Sequence, residues 1–174
     1  IPGTPLEYTA TQGTEGEPPA RRVQVFGRGW AFARTGWGTQ RPFETESMIT
    51  VRFGPGRAVH GHSDHTSVHY FAAGRPVVAD AGFSGYADPE RRAYELNEYA
   101  HSQIVVAGVG PYRATAETTL LQHTESPGWD QFVLEDFPYR GVQRRRTITF
   151  VHDPECVVVH DAVVVPGEDL SLIH

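Results

Sequence analysis

The sequence predicts an all-β fold, an antiparallel β-sandwich of about ten strands with one short helix. Three observations carry that expectation. From Arg21 onward, short runs of β-branched and aromatic residues alternate with Gly and Pro. Several runs have a period of two: in Arg146-Thr147-Ile148-Thr149-Phe150-Val151 the side chains of Ile148 and Phe150 fall on one face. Helix signals gather in a single segment, where Asp88 can cap, Pro89 suits the first helical position and residues 90–97 continue the turn.

Taken in order, residues 1–20 are polar and rich in Gly, Pro and Thr, which reads as a linker or extended arm. Residues 21–174 then form the sandwich domain. Strands are expected over 23–26, 47–53, 66–72, 76–80, 103–107, 117–123, 131–135, 144–151, 156–160 and 162–165. No repeat of a solenoid or propeller is present. Within residues 144–151, Arg144-Arg145-Arg146 must place Arg145 opposite its two neighbours, and a charge-protected edge strand is the expected setting. Trp30, Trp37 and Trp129 lie among glycines, where packing is expected ahead of sugar stacking.

Composition narrows the function. Of 174 residues 39% are hydrophobic, enough for one core. The net charge of −6 excludes a general nucleic-acid binder. Every basic residue is Arg, a side chain suited to bidentate capture of carboxylate or sulfate. The longest apolar run, Ala162-Val163-Val164-Val165, is far short of a membrane span. Cys156 stands alone, so an internal disulfide and a four-cysteine zinc site are excluded, and a buried strand cysteine is expected. There is no initiator Met, no charged and apolar leader, and the last residues continue an apolar pattern. The sequence therefore reads as part of a longer chain, truncated at its C-terminal side.

Chemistry concentrates in His60-Gly61-His62-Ser63-Asp64-His65, followed by His69. On a strand, His60 and His62 would point the same way, about 7 Å apart. Paired imidazoles suit a first-row metal. The string fits the His-x-His-x-Asp-His pattern of metallo-β-lactamases at His60, His62, Asp64 and His65, with His123 and Asp136 as later candidates, but the flanking residues are strand-like and the alternating helices are missing. In a cupin reading, Thr66 and Ser67 occupy the place of the Glu ligand.

A longer series of elements follows in order. After His60-Gly61-His62-Ser63-Asp64 come Ser67 to Ala73, Gly74-Arg75-Pro76, Asp80-Ala81-Gly82, Gly85-Tyr86, and then Ala100-His101 before Ile104-Val105-Val106. Over residues 51–106 this resembles the heparinase II/III-like polysaccharide lyases, with a weaker echo through residues 146–150 and 157–161. Ser102-Gln103 departs from the Asn-Thr that often follows the histidine in that family.

The resemblance implies zinc, or another divalent metal, held by His62, Asp80 and His101 in a structural role. It implies an active-site role for His60 at a cleft, with Asp64, His65 and Tyr86 supporting the metal or meeting substrate. It further implies β-elimination on an acidic, uronate-containing polysaccharide, and an N-terminal helical toroid in the parent chain that supplies the catalytic Tyr and an Asn or His. A periplasmic or extracellular address goes with such chemistry; nucleic acid and membrane are not expected partners. Alone, the fragment would hold an incomplete active site. Two other functions remain open at this point: a non-catalytic, zinc-stabilised carbohydrate-binding or scaffold domain, and a hydrolase using the His-x-His-x-Asp-His string.

Overall fold

A computed structural model of the chain describes residues 1–56, 60–112 and 115–165, and these form two five-stranded antiparallel sheets. In chain order the strands are β1 (Val23–Phe26), β2 (Trp30–Arg34), β3 (Met48–Arg52), β4 (Gly54–Pro55), β5 (Val68–Ala72), β6 (Arg75–Val78), β7 (Glu117–Glu125), β8 (Trp129–Tyr139), β9 (Val142–His152) and β10 (Glu155–Val164). The first sheet runs β1-β2-β3-β5-β6 and the second β10-β9-β8-β7-β4. The predicted fold class is the observed one.

Alternation builds the core. In β2, Ala31 and Ala33 face inward while Trp30, Phe32 and Arg34 do not. With Ile49, Val51, Val68 and Tyr70 they meet Phe132, Leu134, Ile148 and Phe150 of the second sheet, and Tyr70 packs edge-on against Phe150. Each fully buried aliphatic or aromatic side chain contributes roughly 1.5–3 kcal/mol by leaving water.

Several expectations are corrected by the backbone. Residues 103–107 do not form a strand; the Ile104 carbonyl and the Gln103 side-chain oxygen accept from Arg144, and the Gln103 amide nitrogen donates to the Ser63 carbonyl. The 156–160 and 162–165 runs are one strand, because β10 pairs without interruption along β9. β2 joins the list, its small alanines and mixed Trp-Phe-Arg face having obscured the alternation. Residues 1–20 are not wholly extended: Thr4 caps and Pro5 opens α1 (Pro5–Ala10). The α1 residue Tyr8 is buried and donates to the Trp37 carbonyl at 2.6 Å.

Arg144 to Arg146 are not on an edge. β9 lies between β8 and β10, and Arg144 and Arg146 are 2% and 6% exposed, with only Arg145 facing out. Carboxylates on the neighbouring strands make this possible: buried Asp136 takes Arg144 and half-buried Asp161 takes Arg146, each with two hydrogen bonds. Cys156 is half-buried and free.

The predicted helix is present as α2 (Pro89–Glu95), with the Asp88 carboxylate accepting from the Glu90 and Arg91 amides. It connects the Asp80 turn to His101. Among the described residues no helix is long and apolar enough to cross a membrane.

Candidate functional site: a histidine and aspartate cluster

Three connections draw distant segments to one end of the first sheet. β5 and β6 are joined by the two-residue turn Ala73-Gly74, both at positive φ, which returns the chain so that Asp80 lies beside Ser67 and His69. The Ala81 amide donates to the Ala100 carbonyl, bringing the Asp80 turn against His101. The Ser63 amide donates to the Leu96 carbonyl at the end of α2, fastening the histidine-rich loop. That loop is irregular and not a strand, so the same-side pairing of His60 and His62 expected from strand geometry does not apply.

At the centre is Asp80. His101 Nδ1 lies 2.7 Å and His69 Nε2 2.9 Å from Asp80 Oδ2, and Ser67 donates to Oδ1 at 3.1 Å. Burial alone would raise this carboxyl, but the hydrogen bonds from His101 and His69 outweigh it and hold it well below the usual carboxylate range. The same bond to Asp80 raises His69, against the opposing effect of burial. The His62 ring lies 5.4 Å from the His101 ring, centre to centre. Burial, then the neighbouring His101, lowers the His62 pKa and favours the neutral imidazole that can act as a ligand.

These groups open onto a cavity of about 390 Å³, walled on its other sides by Trp30, Arg52 and Phe83, with His60 and Asp64 at its margin. His60 is exposed and holds φ of 54°. Asp64 faces Arg52, 3.4 Å away, rather than fixing a histidine ring. His65 is 2% exposed and belongs to the interior, where burial lowers its pKa and Asp64 and Arg52 act on it from nearby. Tyr86 is exposed; it packs edge-on against Phe83, and the Arg92 guanidinium lies over its ring.

His62, Asp80 and His101, the three residues that the resemblance implies, line the same cavity, and His60 lines it too. His69 was not singled out as a site residue; its alternation with the inward-facing Val68 and Tyr70 was the signal that it points out of the sheet toward Asp80. Trp30, for which packing was expected ahead of sugar stacking, lines the wall, and Arg52 and Phe83 carried no sequence signal of their own, because their place depends on the pairing of β2 with β3 and on the Asp80 turn.

The donors suit a metal in type, two imidazoles and a carboxylate. One buried atom is also unsatisfied: His101 Nε2 has no hydrogen-bond partner. Among the described residues, however, no three such donors stand in a ligating arrangement. Asp80 Oδ2 is engaged directly by the imidazoles of His69 and His101.

The hydrolase reading is corrected by this geometry. The framework is two antiparallel sheets, Asp64 pairs with Arg52, and His65 is turned inward. His123 stacks on Phe132 and Asp136 is bound by Arg144, both away from the cavity wall.

Comparison with known proteins agrees with the sandwich. The sequence profile described as heparinase II/III-like, C-terminal, matches residues 27–172. No curated protein sequence matches the chain. Among solved structures, a heparinase III gene product superposes with a TM-score of 0.78 at 21% identity, over 92% of this chain and 25% of that one. The heparan sulfate lyase HepC from Pedobacter heparinus gives a TM-score of 0.78 at 18% identity, over 94% and 25%. A further heparinase III gives 0.70 at 18% identity, over 84% and 23%. The chain therefore spans about a quarter of the length of these neighbours.

Proposed function

The chain belongs to the heparinase II/III-like C-terminal family, and from that premise we propose that it is the sandwich part of a polysaccharide lyase acting on a uronate-containing glycan. The observation that carries the reading is the meeting of His60, His62, His69, Asp80 and His101 on one open cavity at the end of the first sheet. Trp30 and Phe83 give that cavity apolar walls against which a sugar ring can pack.

In β-elimination a base takes the proton from C5 of the uronate. The electron pair left behind forms the C4–C5 double bond, and the C4–O bond breaks as the departing oxygen takes up a proton. The C5 proton is weakly acidic, so the sugar carboxylate must be neutralised for charge to spread into it. In this reading His60, exposed and on the cavity wall, serves either that neutralisation or the proton transfer. The remaining catalytic groups, a Tyr and an Asn or His, belong to the helical toroid expected in the parent chain.

Zinc, when bound, would be held by His62, Asp80 and His101 and would supply a cross-link among three segments, a contribution to folding of several kcal/mol. The unsatisfied His101 Nε2 supports this assignment. The residues of this chain do the rest: His69 and Ser67 orient the Asp80 carboxylate, and Asp64 holds Arg52.

The test is activity of the longer parent on heparan, chondroitin and alginate polymers, followed by ultraviolet absorbance of the unsaturated uronate. Product from one of these is expected, with His60→Ala lowering kcat by roughly 10²- to 10⁴-fold at unchanged zinc content. No unsaturated product from any of them would remove the lyase reading. Glycan binding without turnover would favour the non-catalytic carbohydrate-binding domain.

A further inference from the structure

The two buried arginines of β9 reach both loops that carry the site histidines. Arg146 gives Nε and Nη2 to Asp161, at 2.7 and 2.8 Å. Its remaining nitrogen, Nη1, donates to the carbonyl of Thr66 at 3.0 Å and to the carbonyl of Ser102. Thr66 follows His65 and Ser102 follows His101, so one guanidinium joins the ends of two segments distant in sequence.

A parallel chain of contacts runs beside it. Asp136 binds Arg144 at 2.8 and 2.7 Å, and Arg144 Nη1 donates to the Gln103 side-chain oxygen at 3.3 Å and to the Ile104 carbonyl. The Gln103 amide nitrogen then donates to the Ser63 carbonyl, inside the histidine-rich loop. Ser102 completes the attachment: its hydroxyl accepts from the Val68 amide at 3.0 Å and donates to the Val68 carbonyl. These side chains take the place of a strand ladder over residues 102–104.

An independent feature indicates that the loop needs such holding. Thr66 has φ of 67°, a conformation that β-branched residues avoid. Strain of this kind persists only where the surroundings over-determine the backbone. Thr66 is gripped at both polar groups, its amide donating to the Arg52 carbonyl and its own carbonyl accepting from Arg146. Replacing a buried ion pair by well-packed apolar residues of similar volume is often neutral or stabilising, so stability alone does not call for the Arg144–Asp136 pair.

We propose that Arg146 and Gln103 are positioning residues that lock the His60–His65 loop and the His101 segment into one register, presetting His62 and His101 toward a shared ligand. The proposal rests on the reading of this cavity as the functional site. Its test uses the chain with Zn²⁺ alone, measured by competition with a chromophoric chelator, together with residue-resolved amide hydrogen exchange. The variants are Arg146→Lys, Gln103→Ala and, as a core truncation on the same strand, Ile148→Val.

Arg146→Lys and Gln103→Ala should each weaken Zn²⁺ binding by roughly 10- to 100-fold. They should also accelerate exchange at Ser63, Thr66 and Val68 by about tenfold while β8 amides keep their protection. Ile148→Val should leave Zn²⁺ affinity within about twofold of the parent. Unchanged affinity in Arg146→Lys and Gln103→Ala, or acceleration spread evenly over the chain, would overturn the positioning role. If the unsubstituted chain takes up no Zn²⁺, the metal assignment fails separately and the local exchange pattern alone decides the clamp. If Arg146→Lys does not fold, Gln103→Ala decides, since it removes neither ion pair.

Discussion

His69 and His101 meet on a single oxygen of Asp80, at 2.9 and 2.7 Å, although one belongs to a sheet and the other follows a 3-10 turn. The carboxylate is therefore the joint between the first sheet and the segment beyond α2. Its side chain is only 14% exposed, which strengthens both bonds relative to water.

Removing that joint has a measurable cost. Asp80→Ala is expected to lower stability by about 2–4 kcal/mol, from the loss of two charge-assisted hydrogen bonds and the Ser67 contact. Urea unfolding of the two chains checks this. A change below about 0.5 kcal/mol, the level of an ordinary surface substitution, would mean that the joint does not hold in solution.

His65 gives the chain a pH dependence of definite sign. It is 2% exposed and burial lowers its pKa below the ordinary 6.5. The unfolded chain then binds a proton that the folded chain resists, so this contribution is full above about pH 6.5 and declines as the pH falls toward the folded value. Urea midpoints should drop between pH 7.5 and 5.5, and His65→Gln should flatten the decline. An unaltered slope in His65→Gln would locate the effect elsewhere.

The Arg144–Asp136 pair is buried at 2% and 0% side-chain exposure. Asp136→Ala leaves an unpaired guanidinium in the interior and is expected to cost about 3–5 kcal/mol. Replacing both by apolar residues of similar volume should restore most of that stability while leaving Gln103 without its Arg144 contact. Thermal or urea denaturation of the single and double variants checks this, and a double variant no more stable than Asp136→Ala contradicts it.

Ala73 occupies the first position of the β5–β6 turn with φ of 51°, followed by Gly74 at 73°. An L-alanine there is strained by roughly 1–2 kcal/mol. Ala73→Asn, which creates the Asn-Gly pair favoured in such hairpins, should stabilise the chain by about 0.5–1 kcal/mol. A lower urea midpoint for the variant would contradict the turn geometry.

The sandwich was legible because β8 and β9 carry long alternating patterns, and α2 because Asp88 and Pro89 mark its start. Their signals are local. Arg144 and Arg146 misled for the opposite reason: their partners Asp136 and Asp161 lie on neighbouring strands, and only strand order reveals that the charges are inside. Residues 103–107 look like a strand by composition, yet Gln103 and Ser102 spend their polar groups on the histidine loop. His62, Asp80 and His101 were grouped through the family resemblance, whereas the places of His69, Arg52 and Trp30 on the cavity wall depend on the pairings of β5 with β3 and of β3 with β2.

The most direct measurement is the metal content of the purified chain, with its melting temperature before and after chelation, beside the same data for His62→Ala. One zinc per chain, a melt lowered by chelator, and loss of both in His62→Ala are the expected results. A metal-free chain whose melting is indifferent to zinc and chelator would contradict the assignment of His62, Asp80 and His101 to a shared ion.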